Sequence, residues 1–163
     1  MKLKGQTLLA PKPVELPFSR RDEDGQEIFI TLTIKPILSF KPFEDKFPLP
    51  KPPVKKNGTV PYSDDSDPEY KQQVLDYVNL KMSWLLLEAL KPSDIEWETV
   101  TADPTTWVNW NKEFIDSGFS PAETQMIEDT IYDISGLTAG NLEETRKRFL
   151  AWKREKAQAQ ENK

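Results

Sequence analysis

The sequence predicts a mainly α fold: an N-terminal β-hairpin, a proline-rich linker and then a bundle of about four helices. Three observations predict it. Period-two alternation is confined to residues 14–35, prolines crowd 36–61, and from residue 67 apolar side chains recur at steps of three and four between explicit caps and stops. The organisation that follows is a hairpin module over 1–35, a Pro-rich linker or arm over 36–66, a helical domain over 67–154 and a polar tail over 155–163.

In the first module, Val14, Leu16 and Phe18 alternate with Glu15 and Pro17, and Ile28, Ile30, Leu32 and Ile34 alternate with Phe29, Thr31, Thr33 and Lys35. Asp24-Gly25 supplies the turn between them. Two strands with one oily face are marginal alone in water, so a third strand, a helix or another subunit is expected to cover that face.

The linker holds Pro36, Pro42, Pro48, Pro50, Pro52 and Pro53, which argue against a regular helix and for an extended, semi-rigid track. Its Phe40, Phe43 and Phe47 are too apolar for a spacer. They are expected to lie over the helical domain as a strap, the alternative being a partner-binding arm.

Asp67-Pro68 caps and opens a helix of about 23 residues, with a stripe of Tyr70, Val74, Val78, Met82, Leu85, Leu86 and Ala89, ending before Pro92. Trp84 and Leu87 widen its apolar arc. A connector follows, with an expected short extended piece at Ile95, Trp97 and Val100. Asp103-Pro104 then starts a helix carrying Trp107, Trp110, Asn111, Phe114 and Ile115. Gly118 stops it, Phe119 folds back onto its last turn, Ser120 caps the next helix, Pro121 opens it and Glu123 completes a capping box. These five residues form a structural corner. Met126, Ile127, Ile131 and Ile134 form the inner face of the helix beyond, and Gly136 ends it. Asn141 with Glu144 starts a last helix with Leu142, Thr145, Phe149 and Trp152 inward.

Composition narrows function. The 163 residues include no His and no Cys, so zinc sites of the usual kinds, thiol chemistry and Ser-His-Asp triads are absent. No glycine-rich phosphate loop occurs. The expectation is no enzyme, no cofactor and no metal. The acidic run 63–69 lacks the glycine and ligand spacing of an EF-hand and reads as a solvated linker whose last Asp caps a helix. No apolar run reaches the roughly 20 residues of a bilayer span, and the N-terminus does not read as a signal peptide, so no membrane association and a cytosolic setting are expected.

Net charge is +4 over 1–61, −12 over 62–141 and +3 over 142–163. The acidic middle repels phosphates, and the helix after Ser120 has neither Lys nor Arg, so nucleic acid is not an expected partner. The basic run 146–156 suits the C-terminal end of a helix macrodipole. Trp84, Trp97, Trp107, Trp110 and Trp152 are many for such a module. Most fill a core, and one or two are expected in an apolar groove whose acidic rim suits a basic, helical partner. The candidate partner-binding residues are Trp84, Leu87, Trp107, Trp110 and Phe114.

The order of parts, with "DPEYKQQVLDYVNLKMSWLLLEAL", "SGFSPAETQMIEDTIYDISGL" and "NLEETRKRFL", resembles the tail assembly chaperones of long-tailed, non-contractile bacteriophages. The most telling piece is a GFS-x-x-E corner followed by L-x-E-x-R-x-x-FL, and the likeness spans roughly residues 13–152. The resemblance implies a chaperone in the host cell cytoplasm, absent from the mature virion, that binds the helical tape measure protein and keeps it soluble until tail-tube assembly. It implies self-association, and contact with the tail tube protein through a longer translational-frameshift form, of which this chain would be the short form. Release would come from a competing partner, independently of ATP. The family pattern does not account for the Pro/Phe-rich stretch 36–61. The alternative reading is a virion structural protein of the tail or head-tail connector.

Overall fold

The computed structural model describes residues 11–138, together with the strand residues 2–3 and 6–7 and Lys147. Strands β1 (Lys2–Leu3) and β2 (Gln6–Thr7) pair antiparallel ahead of the expected hairpin. That hairpin is β3 (Val14–Arg21) with β4 (Glu27–Ile34), in a register that sets Val14 opposite Ile34, Leu16 opposite Leu32 and Phe18 opposite Ile30. Its turn is held by the Asp22 carboxylate, which accepts from the N–H groups of Asp24 and Gln26.

Cover for the oily face comes from helix ends rather than a third strand. Helix α2 (Pro68–Leu90) and the 3-10 turn Lys91–Ser93 lie against the base of β4. The Lys35 N–H donates to the Ala89 carbonyl at 2.9 Å. The Ser93 hydroxyl accepts from the Thr33 N–H and donates to the Thr33 carbonyl, each at 2.8 Å, so one side chain satisfies both edge groups of the strand. Burial therefore fades towards the tip: Phe18, Leu32 and Ile34 are buried, whereas Ile28 and Ile30 are exposed.

The segment 36–66 departs from the extended track expected of it. A short helix, α1 (Lys41–Glu44), opens with Pro42 in its first turn, where proline is tolerated. Strands β5 (Val54–Asn57) and β6 (Val60–Ser63) then form a projecting ribbon, every residue of which is exposed. Gly58, at φ 65°, is the first residue of its two-residue turn, a position that demands positive φ. The strap expectation holds: Phe43 is fully buried against Phe47, Tyr77 and Trp84. Instead of a plain helical bundle behind one hairpin, the described residues mix helices with antiparallel hairpins.

Asp67 caps α2 through the N–H groups of Glu69 and Tyr70. Only its second half is sunk in the core; Leu75 and Val78, the latter expected inside, are exposed. The connector has no extended piece at Ile95, Trp97 and Val100. The Glu113 carboxylate accepts the N–H groups of Glu98, Thr99 and Val100, which removes the need for a strand partner. The Asp103 cap opens a 3-10 helix, Pro104–Asn109, that passes into α3 (Trp110–Asp116).

At the corner Gly118 sits at φ 88°, and the Phe119 N–H donates to the Phe114 carbonyl at 2.9 Å. Ser120 and Glu123 form the reciprocal capping box of α4 (Pro121–Ile134). Ile127 and Ile131 are buried as expected, but Met126 is half exposed, because the buried face of α4 runs through Thr124 instead. The expected last helix, with Leu142, Thr145, Phe149 and Trp152, lies outside the described residues.

Hairpin and helices share one core. Phe18, Leu32 and Ile34 meet Leu85, Leu86 and Ala89 of α2, Phe114 and Phe119 of the corner, and Ile127 and Ile131 of α4. An ion pair locks the arrangement: Arg20 on β3 donates to Glu123 at 2.7 and 3.3 Å, and its guanidinium lies 4.6 Å from the Phe119 ring centroid. The Arg20 guanidinium and the Ser120 N–H hold the Glu123 carboxyl down at about 2. Because its folded value is depressed, this contribution is complete above the ordinary carboxylate range and is lost as pH falls through about 2. Glu123→Gln is expected to lower the thermal midpoint by about 4 °C at neutral pH. It is also expected to flatten the acid limb of a midpoint-against-pH curve; an unchanged acid limb would reject the ion pair as the hairpin lock.

Candidate functional site

Among the described residues, helix α2 walls two large clefts on different faces. The first, about 510 Å³, lies between its C-terminal half, the strap and the connector, and is lined by Trp84, Leu87, Trp97 and Trp107. Trp84 packs against Phe40 and Phe43 of the strap, with ring centroids 6.3 and 5.7 Å away. The Trp107 indole N–H donates to the Thr101 carbonyl at 3.1 Å, and its ring meets Phe47 edge-on at 5.8 Å. Two tryptophans of this cleft are thus fastened by the strap phenylalanines, while each keeps part of its surface in solvent.

Charge in this cleft is balanced. Glu88 accepts from Lys35 at 2.6 Å and also pairs with Lys91. Burial pushes the Glu88 carboxyl up, but the two ammonium groups outweigh it and hold the carboxyl below its usual range.

The second cleft, about 630 Å³, runs between α2, the 3-10 helix, the start of α3 and α4. Met82, Leu86, Val108, Trp110 and Tyr132 give it an apolar surface, and Asp76 and Glu128 give it two carboxylates. Burial and the neighbouring Asp129 push the Glu128 carboxyl up.

Of the residues expected from sequence to touch a partner, Trp84, Leu87 and Trp107 come together in the first cleft, whereas Trp110 lies in the second. Phe114 is 4% exposed and sits beneath both, edge-on to Trp97 at 5.6 Å and Trp110 at 6.2 Å. It supports the surface from below. Trp152 lies outside the described residues. Gly118, Phe119, Ser120, Pro121 and Glu123 all take the corner positions expected of them. Sequence reading missed Val108, Glu128 and Tyr132, although Glu128 and Tyr132 stand four apart and share a face of α4.

The acidic run 63–69 turns inward on a lysine. Asp64 and Asp67 both accept from Lys55 of β5, at 2.6 and 2.9 Å, which ties the exposed ribbon to the start of α2. Hydrogen bonds from Lys55 and Ser66 pull the Asp64 carboxyl down to about 2. Among the described residues no cluster of three or more His, Cys, Asp or Glu side chains converges as a metal site would require. Among them, too, no helix is long and apolar enough to cross a membrane.

No protein-family model, no curated protein and no solved structure matches this chain.

Proposed function

We propose that this protein is a tail assembly chaperone of a long-tailed, non-contractile bacteriophage. It binds the tape measure protein in the host cytoplasm, shields its apolar surface and yields it to the assembling tube without ATP. One observation carries the reading: all four described tryptophans, Trp84, Trp97, Trp107 and Trp110, are only partly buried and line open clefts in an acidic, largely helical region. Aromatic side chains held rigid at the mouth of a cleft are the anchors by which helical segments are captured. The corner motif at 118–123 and the order of elements around it supply the family resemblance.

The test is co-expression with a candidate tape measure protein. The expected result is a soluble tape measure protein that co-purifies with this chain, and whose recovery falls at least about fivefold in Trp84→Ala or Trp107→Ala. A tape measure protein that stays insoluble, together with recovery of this chain from purified particles, would replace the chaperone with a virion structural protein.

A further inference from the structure

The cleft between α2 and α4 carries the carboxylates Asp76 and Glu128, and among the described residues no Lys or Arg lines it. Asp76 accepts from the Gln72 amide at 2.8 Å. Glu128 has neither a hydrogen bond nor an ion pair among the described residues, although it is half-buried beside Tyr132. Glu88, Glu113 and Glu123, the other part-buried glutamates argued above, all have partners. Holding a carboxylate half out of water with no counter-charge costs stability, and an incoming cation recovers that cost.

Shape indicates what carries the cation. From Asp76 to Leu86 the cleft follows α2 for ten residue rises, about 15 Å, or close to three helical turns. Its walls are helical, with backbone groups satisfied internally, so no strand edge is offered to an extended peptide, whose own N–H and C=O groups would go unpaired. A helix brings its backbone bonds with it. Met82, Trp110 and Tyr132 present apolar surface for its inward face, and Val108, 62% exposed, stands free to meet it.

We propose that this cleft takes up an amphipathic helix of a partner polypeptide, its apolar face against Met82, Trp110 and Tyr132, with a flanking Lys or Arg paired to Glu128. The inference rests on the reading of this chain as a binder of helical clients, and it adds the cleft and the residue that select them.

The experiment is calorimetric titration of the full chain with two synthetic helical peptides that share one leucine face. One carries Lys at the flanking positions and the other Glu. The Lys peptide is expected to bind at least about tenfold more tightly than the Glu peptide. Glu128→Gln should erase most of that preference, and Val108→Asp, at an exposed position that leaves folding intact by near-UV circular dichroism, should weaken both peptides. Equal affinities, or a preference untouched by Glu128→Gln, would overturn the proposal. So would dimerisation abolished by Val108→Asp, which assigns the cleft to a second copy. A tenfold gain in peptide affinity on Phe149→Asp would assign it to the chain's own residues 139–163, with the same consequence. The tape measure protein separates the two readings. If wild type, Val108→Asp and Glu128→Gln solubilise it equally, the cleft assignment fails and the chaperone stands. Lys-peptide binding without client solubilisation supports the cleft and removes the chaperone.

Discussion

Phe43→Ala is expected to lower the unfolding free energy by about 3–4 kcal/mol and to release the strap from α2. The Phe43 ring is fully buried, in a cluster of its own with Phe47 at 5.0 Å, Tyr77 at 5.5 Å and Trp84 at 5.7 Å. The other ties of this segment are weaker. Lys81 pairs with Glu44 at 2.7 Å and lies 4.1 Å from the Phe40 ring centroid, both at the surface, where such contacts contribute roughly 1 kcal/mol or less each. The Ile37 N–H donates to the Ser135 hydroxyl at 3.0 Å, a neutral bond of about 1 kcal/mol. One ring can nonetheless hold the strap, because prolines limit the freedom it would gain on release. The expected readouts are a red shift of Trp84 emission, a lower urea midpoint and proteolytic cleavage within 36–53. Binding of an apolar dye should rise as Trp84 is uncovered. A variant with wild-type emission and midpoint would show that Phe43 does not anchor the strap.

The strap also shows why some of this architecture was legible in sequence and some was not. Signals that act within one turn of chain are legible in the sequence. Asp67-Pro68 and Ser120-Pro121 with Glu123 use a side-chain acceptor and a fixed φ to start helices, and Gly118 uses a conformation that costs other residues energy. None of these depends on distant partners. The strap's contacts do: its phenylalanines predict a strap, but that Phe43 meets Tyr77 and Trp84, and Phe47 meets Trp107, rests on separations that no local pattern encodes. The helix α1 within it left a clue, since Phe40, Phe43 and Phe47 follow helical spacing, but the surrounding prolines mask it. The same masking hid β5 and β6, whose Gly58-Thr59 turn lies between Pro53 and Pro61. The candidate site was half legible. Its tryptophans stand out by abundance, but their division between two clefts depends on the rotation of α2, and a stripe over two adjacent faces leaves that rotation open. Glu128 resembled every other acid until burial set it apart.

Phe119→Ala is expected to have the larger effect, a loss of about 4–5 kcal/mol, because the ring joins hairpin and corner within the shared core and also carries the Arg20 guanidinium. It is edge-on to Phe18 of the hairpin at 5.2 Å and to Phe114 of α3 at 4.9 Å, and it carries the Arg20 guanidinium on its face. Aromatic pairs of this geometry contribute about 0.5–1.5 kcal/mol each beyond area burial. The ring thus outweighs the backbone device beside it, since a side chain forced into the φ 88° conformation of Gly118 costs about 1–2 kcal/mol with no steric clash. Removing the ring also strips cover from Arg20, whose Nε is buried without a hydrogen-bond partner and whose ion pair with Glu123 then faces water. Hairpin and corner should loosen together. Amide exchange in β3 and β4 should accelerate along with that of α4, and Phe18→Ala combined with Phe119→Ala should cost less than the two single changes added. If the double substitution is strictly additive, or the hairpin amides keep their protection, the ring is only one core residue among several and the hairpin is held to the helices chiefly by the base of β4 and the Arg20–Glu123 pair.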